Sequence, residues 1–225
     1  MTRTTYSVIL PAAGRSSRMG EPKMLLRVGG VPLLRRIVET FRDGLGNDAE
    51  GLQWEIIVVT GYYRESIEKL LEDLPARPVF NPEHHLDMAV SLKVGFAAAA
   101  VPRDFYLTSP ADHPGIRSAT VARLVRAFDP ANPDRILVPC CDGRRGHPVL
   151  LPGGAGARVT AAPPGWTLRD LVRGGAYPVI EVAVDDPGVY EDVDTPADLA
   201  AASLAPPPPP DESEMRDCPD RRPRK

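Results

Sequence analysis

The stretch YSVILPAAGRSSRMGEPK, Tyr6 to Lys23, joins an apolar run near the start of the chain to a long loop of small residues. Tyr6–Leu10 has the composition of a buried β-strand. The loop after it carries two glycines, Gly14 and Gly20, and three cations. A strand that runs into such a loop, with a helical pattern after it, is typical of sheets built from parallel strands.

The first half of the chain continues this alternation of strand and helix. Apolar residues run without a break in the predicted strands and recur at helical spacing in the predicted helices. The later strands are Glu55–Thr60, Pro78–Phe80 and Asp104–Thr108, and the helices are Val31–Arg42, with Pro32 in its first turn, Arg64–Leu74, Ala89–Ala99 and Ser118–Phe128. The alternation predicts an α/β fold, a single Rossmann-like three-layer α/β/α domain with a mostly parallel, twisted sheet. In such sheets ligands bind beyond the carboxyl ends of the strands.

The pattern changes in the second half. Two short strands are predicted around the loop CDGRRGH, and a helix, an extended segment and a last helix follow. These elements are Arg135–Pro139, Pro148–Leu151, Thr167–Arg173, Pro178–Val184 and Thr195–Ala202. The last helix begins with a capping box formed by Thr195 and Asp198.

Two parts of the chain are distinguished by composition. Residues 1–204 are predicted to form one domain. Residues 205–225 contain five consecutive prolines, Pro206–Pro210, followed by mixed charges, so we expect a disordered tail.

Charge and cysteine content exclude several classes of protein. The net charge of −3 gives no basic field that would attract nucleic acid. We find no apolar segment long enough to span a bilayer, and Tyr6–Leu10 is too short for the core of a signal peptide. The three cysteines lack zinc-site spacing and are interpreted as free thiols. We therefore expect a cytoplasmic protein with neither nucleic acid nor membrane as a partner.

The loop from Pro11 to Lys23 combines backbone freedom with positive charge. Its glycines allow backbone N–H groups to approach an anion, and Arg15, Arg18 and Lys23 can neutralise phosphate oxygens. No Gly-Lys-Ser/Thr closes the loop, so it is not a Walker A loop, and its glycine spacing does not match a Rossmann fingerprint. The residues alone leave two interpretations open, a polyphosphate-binding loop and a solvated turn.

Three aspartates are candidates for a metal site. Asp112 follows a predicted strand in the motif SPADHP, and Asp192 and Asp194 share one face of EDVDTPADL. Mg²⁺ binds through one or two carboxylates together with substrate phosphates. The alternative is that Asp112 caps the helix near Ser118 and that the other two aspartates interact favourably with the dipole of the last helix.

A second cationic loop is GRRGHP, Gly143–Pro148. Arg144, Arg145 and His147 suit an anionic acceptor, and an ordinary exposed turn would carry the same residues.

Together these motifs resemble those of the molybdenum cofactor nucleotidyltransferases. The resemblance runs from about Tyr6 to Ala201, and it is nearest to the cytidylyltransferases that serve molybdenum hydroxylases. It is carried by AAGRSSRMGEPKMLL, NPEHHLDMAVSL, LTSPADHP, RRGHPVLL and DVDTPADL. The resemblance implies a nucleotide-diphospho-sugar-transferase-like fold. It also implies Mg²⁺-dependent transfer of CMP from CTP to the phosphate of molybdenum-loaded molybdopterin, with release of pyrophosphate.

The resemblance also implies a role for each matching residue. Lys23 would stabilise charge at the α-phosphate, and Arg18 would hold the β- and γ-phosphates. Asp112 and Asp194 would hold Mg²⁺, with Asp192 as the alternative to Asp194. The nucleotide would bind against Ala12, Ala13, Gly14, Arg15, Ser16, Arg18, Gly20 and Lys23, and the acceptor against Asn81, Ser91 and His147.

Other functions stay open at this point. GTP could replace CTP, a sugar phosphate or another small molecule could be the acceptor, or the protein could be a non-catalytic carrier that delivers the finished cofactor to an apo-hydroxylase. A carrier needs no phosphate loop and no metal carboxylates, so their presence favours catalysis. The Ala12-Ala13-Gly14 sequence and Pro22 before Lys23 resemble the cytosine-using branch. Guanine-using relatives have Ala-Gly-Gly, and an aspartate before the lysine.

Overall fold

In the computed structural model, which describes residues 4–17, 19–46, 52–100 and 103–204, strands and helices alternate along the chain. The strands are β1 (Thr4–Pro11), β2 (Arg27–Val28), β3 (Val31–Pro32), β4 (Leu52–Thr60), β5 (Arg77–Phe80), β6 (Phe105–Thr108), β7 (Ile136–Cys141), β8 (Arg144–Arg145), β9 (Val149–Pro152) and β10 (Val179–Ala183). The α-helices are α1 (Leu33–Leu45), α2 (Arg64–Leu71), α3 (Met88–Ala98), α4 (Ser118–Arg126), α5 (Ala155–Thr160), α6 (Leu168–Arg173) and α7 (Pro196–Leu204). Short 3-10 turns occur at Lys23–Leu25 and Pro187–Val189.

Eight of these strands form one sheet, with β1 in its interior. The order is β10-β7-β9-β6-β1-β4-β5, and β8 pairs with the end of β7. β1 runs parallel to β4 and β6, β4 is parallel to β5, and β7 is parallel to β10. β9 runs antiparallel to its neighbours β6 and β7. The predicted mostly parallel α/β sheet is therefore confirmed.

Helices cover both faces of the sheet. The side chains of β1 alternate between the two faces and therefore contribute to both cores. Tyr6, Val8 and Leu10 belong to a core shared with α1, α2 and α4. Ile9 belongs to a second core shared with α3, α5 and α6. The helix α3 comes close to the sheet at Gly95, where an added Cβ would lie 2.4 Å from Ile9. This arrangement gives the three layers expected from the alternation.

Most predicted elements are present, with ends shifted by a few residues. The capping box of the last helix is confirmed, since Asp198 accepts a hydrogen bond from the backbone N–H of Thr195 at 2.7 Å and donates its own N–H to Thr195 Oγ1 at 3.3 Å. The prediction that α1 begins at Val31, with Pro32 in its first turn, is wrong. Val31 and Pro32 are extended and pair with β2 as a small hairpin, so the helix begins at Leu33.

Other differences concern short or undescribed segments. The six-residue α5 was not predicted, because its Ala-Gly-Ala sequence carries almost no apolar periodicity. The tail, residues 205–225, lies outside the described residues, as does Cys218. Cys140 and Cys141 are free thiols. Within the described ranges, every helix is too short or too polar to cross a membrane.

Glu55 holds together the edge of the sheet at which β1 begins. Its Oε1 accepts hydrogen bonds from Ser7 Oγ at 2.7 Å, from the guanidinium of Arg103 at 2.8 Å and from the backbone N–H of Ala100 at 3.0 Å. Its Oε2 accepts from Arg77 at 3.0 Å. Burial alone would raise the pKa of Glu55, but these donors outweigh burial and lower it to about 2.

Glu55→Gln should reduce stability at neutral pH and have a much smaller effect in acid. The folded-state pKa lies below the usual value of 4.5, so the stabilisation is complete above about pH 4.5 and is lost as the pH falls toward 2. The difference in unfolding free energy between wild type and variant should shrink by on the order of 1–2 kcal/mol between pH 7 and pH 3. Urea unfolding at both pH values measures it. Glu68→Gln, which removes a surface ion pair with Arg64, is the control. An equal loss of unfolding free energy in Glu55→Gln at both pH values would contradict the prediction.

Candidate functional site at the carboxyl edge of the sheet

The side chain of Lys23 lies at the centre of a charged cluster beyond the carboxyl ends of β1 and β6. Its Nζ donates to Asp112 Oδ2 at 3.1 Å and to Asp194 Oδ1 at 2.7 Å. The lysine side chain is only 8% exposed, whereas the carboxylates are 21% and 29% exposed. A buried ammonium needs anionic partners, and here two carboxylates provide them.

The loop after β1 is held in place by contacts within the loop and with the end of β4. The backbone N–H of Lys23 donates to Ser16 Oγ at 3.0 Å, and Ser16 adopts a left-handed backbone with φ 56°. Tyr63 Oη donates to the carbonyl of Arg15 at 2.9 Å. Gly61 lies so close to the loop that an added Cβ would be 2.5 Å from the carbonyl oxygen of Ala13. These contacts bring the buried Lys23 back toward the strand end.

Asp112 makes contacts through both of its carboxylate oxygens. While Oδ2 faces Lys23, Oδ1 lies 2.8 Å from His113 Nδ1. Burial raises the pKa of Asp112, but the hydrogen bond from His113 and the positive charge of Lys23 outweigh burial and lower it to about 2. The carboxylate is therefore ionised over the physiological pH range.

Asp194 reaches the cluster because the segment before α7 is attached to the end of β6. The backbone N–H of Val193 donates to the carbonyl of Asp112 at 2.9 Å, and Val193 is buried. The next residue, Asp194, then faces Lys23, whereas Asp192 on the other side of Val193 is exposed. Only one member of the predicted pair therefore contacts the lysine.

Two close backbone contacts hold the preceding part of this segment. An added Cβ on Gly188 would lie 2.1 Å from the carbonyl carbon of Gly115, so there is no room for a side chain at Gly188. The backbone N–H of His147 donates to the carbonyl of Val189 at 2.7 Å. The segment thus lies between the loop after β6 and the start of β9.

The alternative in which Asp112 caps α4 is wrong. Asp186 occupies that role, because its Oδ2 accepts from the backbone N–H of Arg117 at 2.9 Å and from Thr120 Oγ1 at 2.5 Å. Asp186 is 1% exposed, and no sequence pattern predicts its role. It lies 69 residues from Arg117, so no local pattern relates the two.

The other residues of the predicted nucleotide loop lie along the same edge. Ala12 and Ala13 are buried, and Gly14 and Arg15 are exposed. Gly20 has φ 71°, a left-handed conformation that favours glycine. Arg18 lies outside the described residues.

The three acceptor candidates divide between two sides of this loop. Asn81 follows β5 and donates to Ser91 Oγ at 3.0 Å, and both side chains are buried. His147 precedes β9, on the opposite side of β1. Four strand spacings separate β5 from β9, which corresponds to roughly 19 Å in the plane of the sheet. The structure therefore brings Asn81 and Ser91 together but places His147 apart from them.

His147 lies in a buried environment next to Asp112. Its ring is edge-on to His113, with centroids 5.1 Å apart. Burial, followed by the charge of His113, lowers the pKa of His147 to about 4, against an opposing effect of Asp112. Its Nδ1 is buried and has no hydrogen-bond partner among the described residues.

An aromatic cluster that no sequence pattern predicts lies beside the loop. Tyr62, Phe80 and His84 lie together, with Tyr62 and His84 ring centroids 4.5 Å apart and Phe80 and His84 centroids 5.8 Å apart. The guanidinium of Arg15 lies 5.9 Å from the ring of Tyr62. Each residue follows or ends a strand, but single aromatic residues at strand ends carry no distinctive spacing.

The chemistry available at the cluster is that of paired carboxylates. Within the described ranges, no group of three or more His, Cys, Asp or Glu side chains is arranged to hold a metal ion unaided. Asp112 and Asp194 nevertheless direct one oxygen each at a single cation, the ammonium of Lys23. Two carboxylates can hold Mg²⁺ when substrate phosphates supply further oxygens.

The chain matches one protein family and is similar to individual proteins and solved structures. Residues 8–179 match the family described as MobA-like NTP transferase domain. Nicotine blue oxidoreductase of Paenarthrobacter nicotinovorans is 29% identical over 193 residues, covering 83% of this chain and 91% of that protein. The structure of Rv0371c from Mycobacterium tuberculosis H37Rv has a TM-score of 0.76 at 25% identity and covers 91% of this chain and 100% of that chain. A structure of Rv0371c in complex with manganese has a TM-score of 0.72 at 25% identity and covers 90% and 99%.

Gly188→Ala should destabilise the protein, because its Cβ would overlap the backbone of Gly115. We expect a loss of about 1–3 kcal/mol or more in the free energy of unfolding, measured by urea titration. Gly154→Ala is the matched control, since its backbone is helical and an added Cβ would meet only the hydroxyl of Tyr177 at 3.3 Å. Equal stability of the Gly188→Ala protein and wild type would show that the two backbones separate at little cost.

Proposed function

Because the chain belongs to the MobA-like NTP transferase domain family, we propose that it transfers CMP from CTP to the terminal phosphate of molybdenum-loaded molybdopterin. The family gives the general class, nucleotidyl transfer. The motifs of the loop and of the two aspartate segments support the choice of substrates. The observation that carries the proposal is the buried Lys23 held between Asp112 and Asp194 at the carboxyl edge of the sheet.

The proposed reaction needs charge neutralisation and positioning rather than a covalent enzyme intermediate. A phosphate oxygen of the acceptor attacks the α-phosphorus of CTP, the bond from that phosphorus to the bridging oxygen breaks, and pyrophosphate leaves. Lys23 stabilises negative charge that develops at the α-phosphate. Arg15 and the exposed backbone of Gly14 bind phosphate oxygens, and Arg18 is proposed to hold the β- and γ-phosphates.

Asp112 and Asp194 are proposed to hold the divalent cation. Their oxygens converge on one positive group in this structure, so the donor set fits a cation at the same edge. When bound, Mg²⁺ neutralises phosphate charge and polarises the reacting phosphorus. The manganese complex of the related Rv0371c supports a divalent metal.

The acceptor candidates are assigned by their distance from the cluster. His147, with a buried and unpaired Nδ1 near Asp112, is proposed to meet the reacting end of the acceptor. Asn81 and Ser91 are proposed to bind a part of the acceptor that is remote from the transferred group, because they lie on the other side of the loop. An apo-hydroxylase is the proposed recipient of the product, in the cytoplasm.

The base preference is proposed from the start of the loop. Ala12 and Ala13 are both 4% exposed, so the methyl group of Ala13 occupies space that a glycine would leave empty. A smaller site favours a pyrimidine over a purine, and the misfit of a purine costs about 1–3 kcal/mol.

The alternative within the same class is GTP, and the alternative without catalysis is a cofactor carrier. The name of one relative describes an oxidoreductase, but paired carboxylates on a lysine favour phosphate chemistry for this chain.

The purified protein should use CTP at least about tenfold better than GTP in kcat/KM, with ATP and UTP poorer still. The measurement is pyrophosphate release with molybdenum-loaded molybdopterin and each nucleotide, with the product identified by mass. Ala13→Gly should raise the relative use of GTP. Preference of the wild type for GTP would contradict the cytidylyl proposal, and absence of turnover with all four nucleotides would favour the carrier.

Asp112→Ala and Asp194→Ala should each lower turnover by about a thousandfold or more, since each removes a carboxylate from the proposed cation. Asp192→Ala is the matched control, because Asp192 is exposed two residues away in the same segment. Rates are measured as a function of Mg²⁺ concentration, with circular dichroism to confirm folding. A larger loss in Asp192→Ala than in Asp194→Ala would show that the other member of the pair binds the metal.

A further inference from the structure

His113 makes a contact that the proposed reaction does not use. The residue follows Asp112 directly, and its side chain is only 10% exposed. Its Nδ1 lies 2.8 Å from Asp112 Oδ1, on the side of the carboxylate away from Lys23. A buried histidine so placed either fills space or fixes the orientation of the carboxylate.

The geometry favours the second role. A carboxylate rotates about its Cβ–Cγ bond unless both oxygens are engaged, and here one oxygen meets Lys23 and the other meets His113. Because the carboxylate of Asp112 only accepts hydrogen bonds, Nδ1 of His113 carries the proton between them. The ring of His113 in turn packs edge-on against His147.

Lys23 alone cannot fix Asp112, because its ammonium is shared. The lysine also donates to Asp194, at a shorter distance of 2.7 Å against 3.1 Å. A phosphate group would offer the same ammonium a further partner. The contact with His113 involves neither of these groups, and so it can persist when the lysine changes partners.

We propose that His113 is a positioning residue. Its Nδ1–H fixes the carboxylate of Asp112 so that Oδ2 faces Lys23, the group that Asp194 also faces. The inference rests on the proposed function, in which Asp112 holds a divalent metal. It extends that function by one residue, because His113 then sets the metal affinity of the site without touching metal or substrate. Groups that orient metal ligands typically change affinity or activity by about 10–100-fold when removed.

The test compares two substitutions of similar shape that differ in the donor. His113→Asn keeps an N–H donor near the position of Nδ1, and His113→Leu removes it. His85→Ala, which removes an exposed histidine, is the control. The full chain is titrated with Mn²⁺, with and without CTP, and free Mn²⁺ is measured by electron paramagnetic resonance. Steady-state kcat, the KM for CTP and the melting temperature are measured for the same proteins.

We expect His113→Leu to bind Mn²⁺ about 10–100-fold more weakly and to lose kcat, with the KM for CTP changed less than about threefold. His113→Asn should bind Mn²⁺ within about threefold of wild type. Should the leucine variant fail to fold, His113→Ala takes its place in the comparison. A folded leucine or alanine variant with wild-type Mn²⁺ affinity, or equal losses in the leucine and asparagine variants, would overturn the inference.

The metal titration separates this inference from the proposed function. If wild type binds Mn²⁺ but transfers no nucleotide, the proposed function fails, while a selective loss in the leucine variant still supports the role of His113. If wild type transfers CMP and the leucine variant keeps its Mn²⁺ affinity, the function stands and the inference fails. Wild type that binds no Mn²⁺ in either condition would overturn the inference and the metal assignment together.

Discussion

The ammonium of Lys23 brings three distant parts of the chain to one point. Asp112 lies 89 residues from it in sequence and Asp194 lies 171 residues away. Because the lysine is buried, removing either carboxylate would leave part of its charge uncompensated in a poorly solvated environment. The loop after β1, the end of β6 and the segment before α7 are therefore held in one relative arrangement.

Charged groups hold both edges of the sheet, and they do so differently. At the edge where β1 begins, Glu55 is surrounded by donors from Ser7, Arg77, Ala100 and Arg103, and these satisfy both of its oxygens. At the carboxyl edge, two carboxylates share one ammonium and are more exposed than the lysine between them. In the first arrangement every oxygen of the carboxylate has a protein donor, whereas the carboxylates of the second remain partly exposed, as the proposed cation site requires.

The charged side chains that the proposed reaction uses are already close together in this structure. Asp112 and Asp194 each already contact Lys23, so the charged groups lie close together before a nucleotide binds. The rest of the carboxyl edge adds glycine-bearing backbone on one side and the ring pair of His113 and His147 on the other. The proposed site would combine anion binding with cation binding over a short distance, as nucleotidyl transfer requires.

The sequence by itself determined the features that depend on local spacing. The alternation of apolar runs with helical patterns gave the α/β class and the three layers, and Thr195 with Asp198 gave the start of α7. It also selected Lys23, Asp112 and the pair Asp192 and Asp194 as residues of interest. The extended backbone of Val31 and Pro32 was not visible, because it depends on pairing with β2.

Only the tertiary structure decided which of these residues meet. Strand order placed β1 between β4 and β6, and a backbone hydrogen bond from Val193 to Asp112 turned Asp194 toward Lys23. The same packing gave the helix-capping role to Asp186 and separated His147 from Asn81. Such contacts join residues tens of positions apart, and no periodicity along the chain encodes them. They follow from how strands and loops pack once the core is buried, which is why the chemistry of the site was visible in the sequence but its geometry was not.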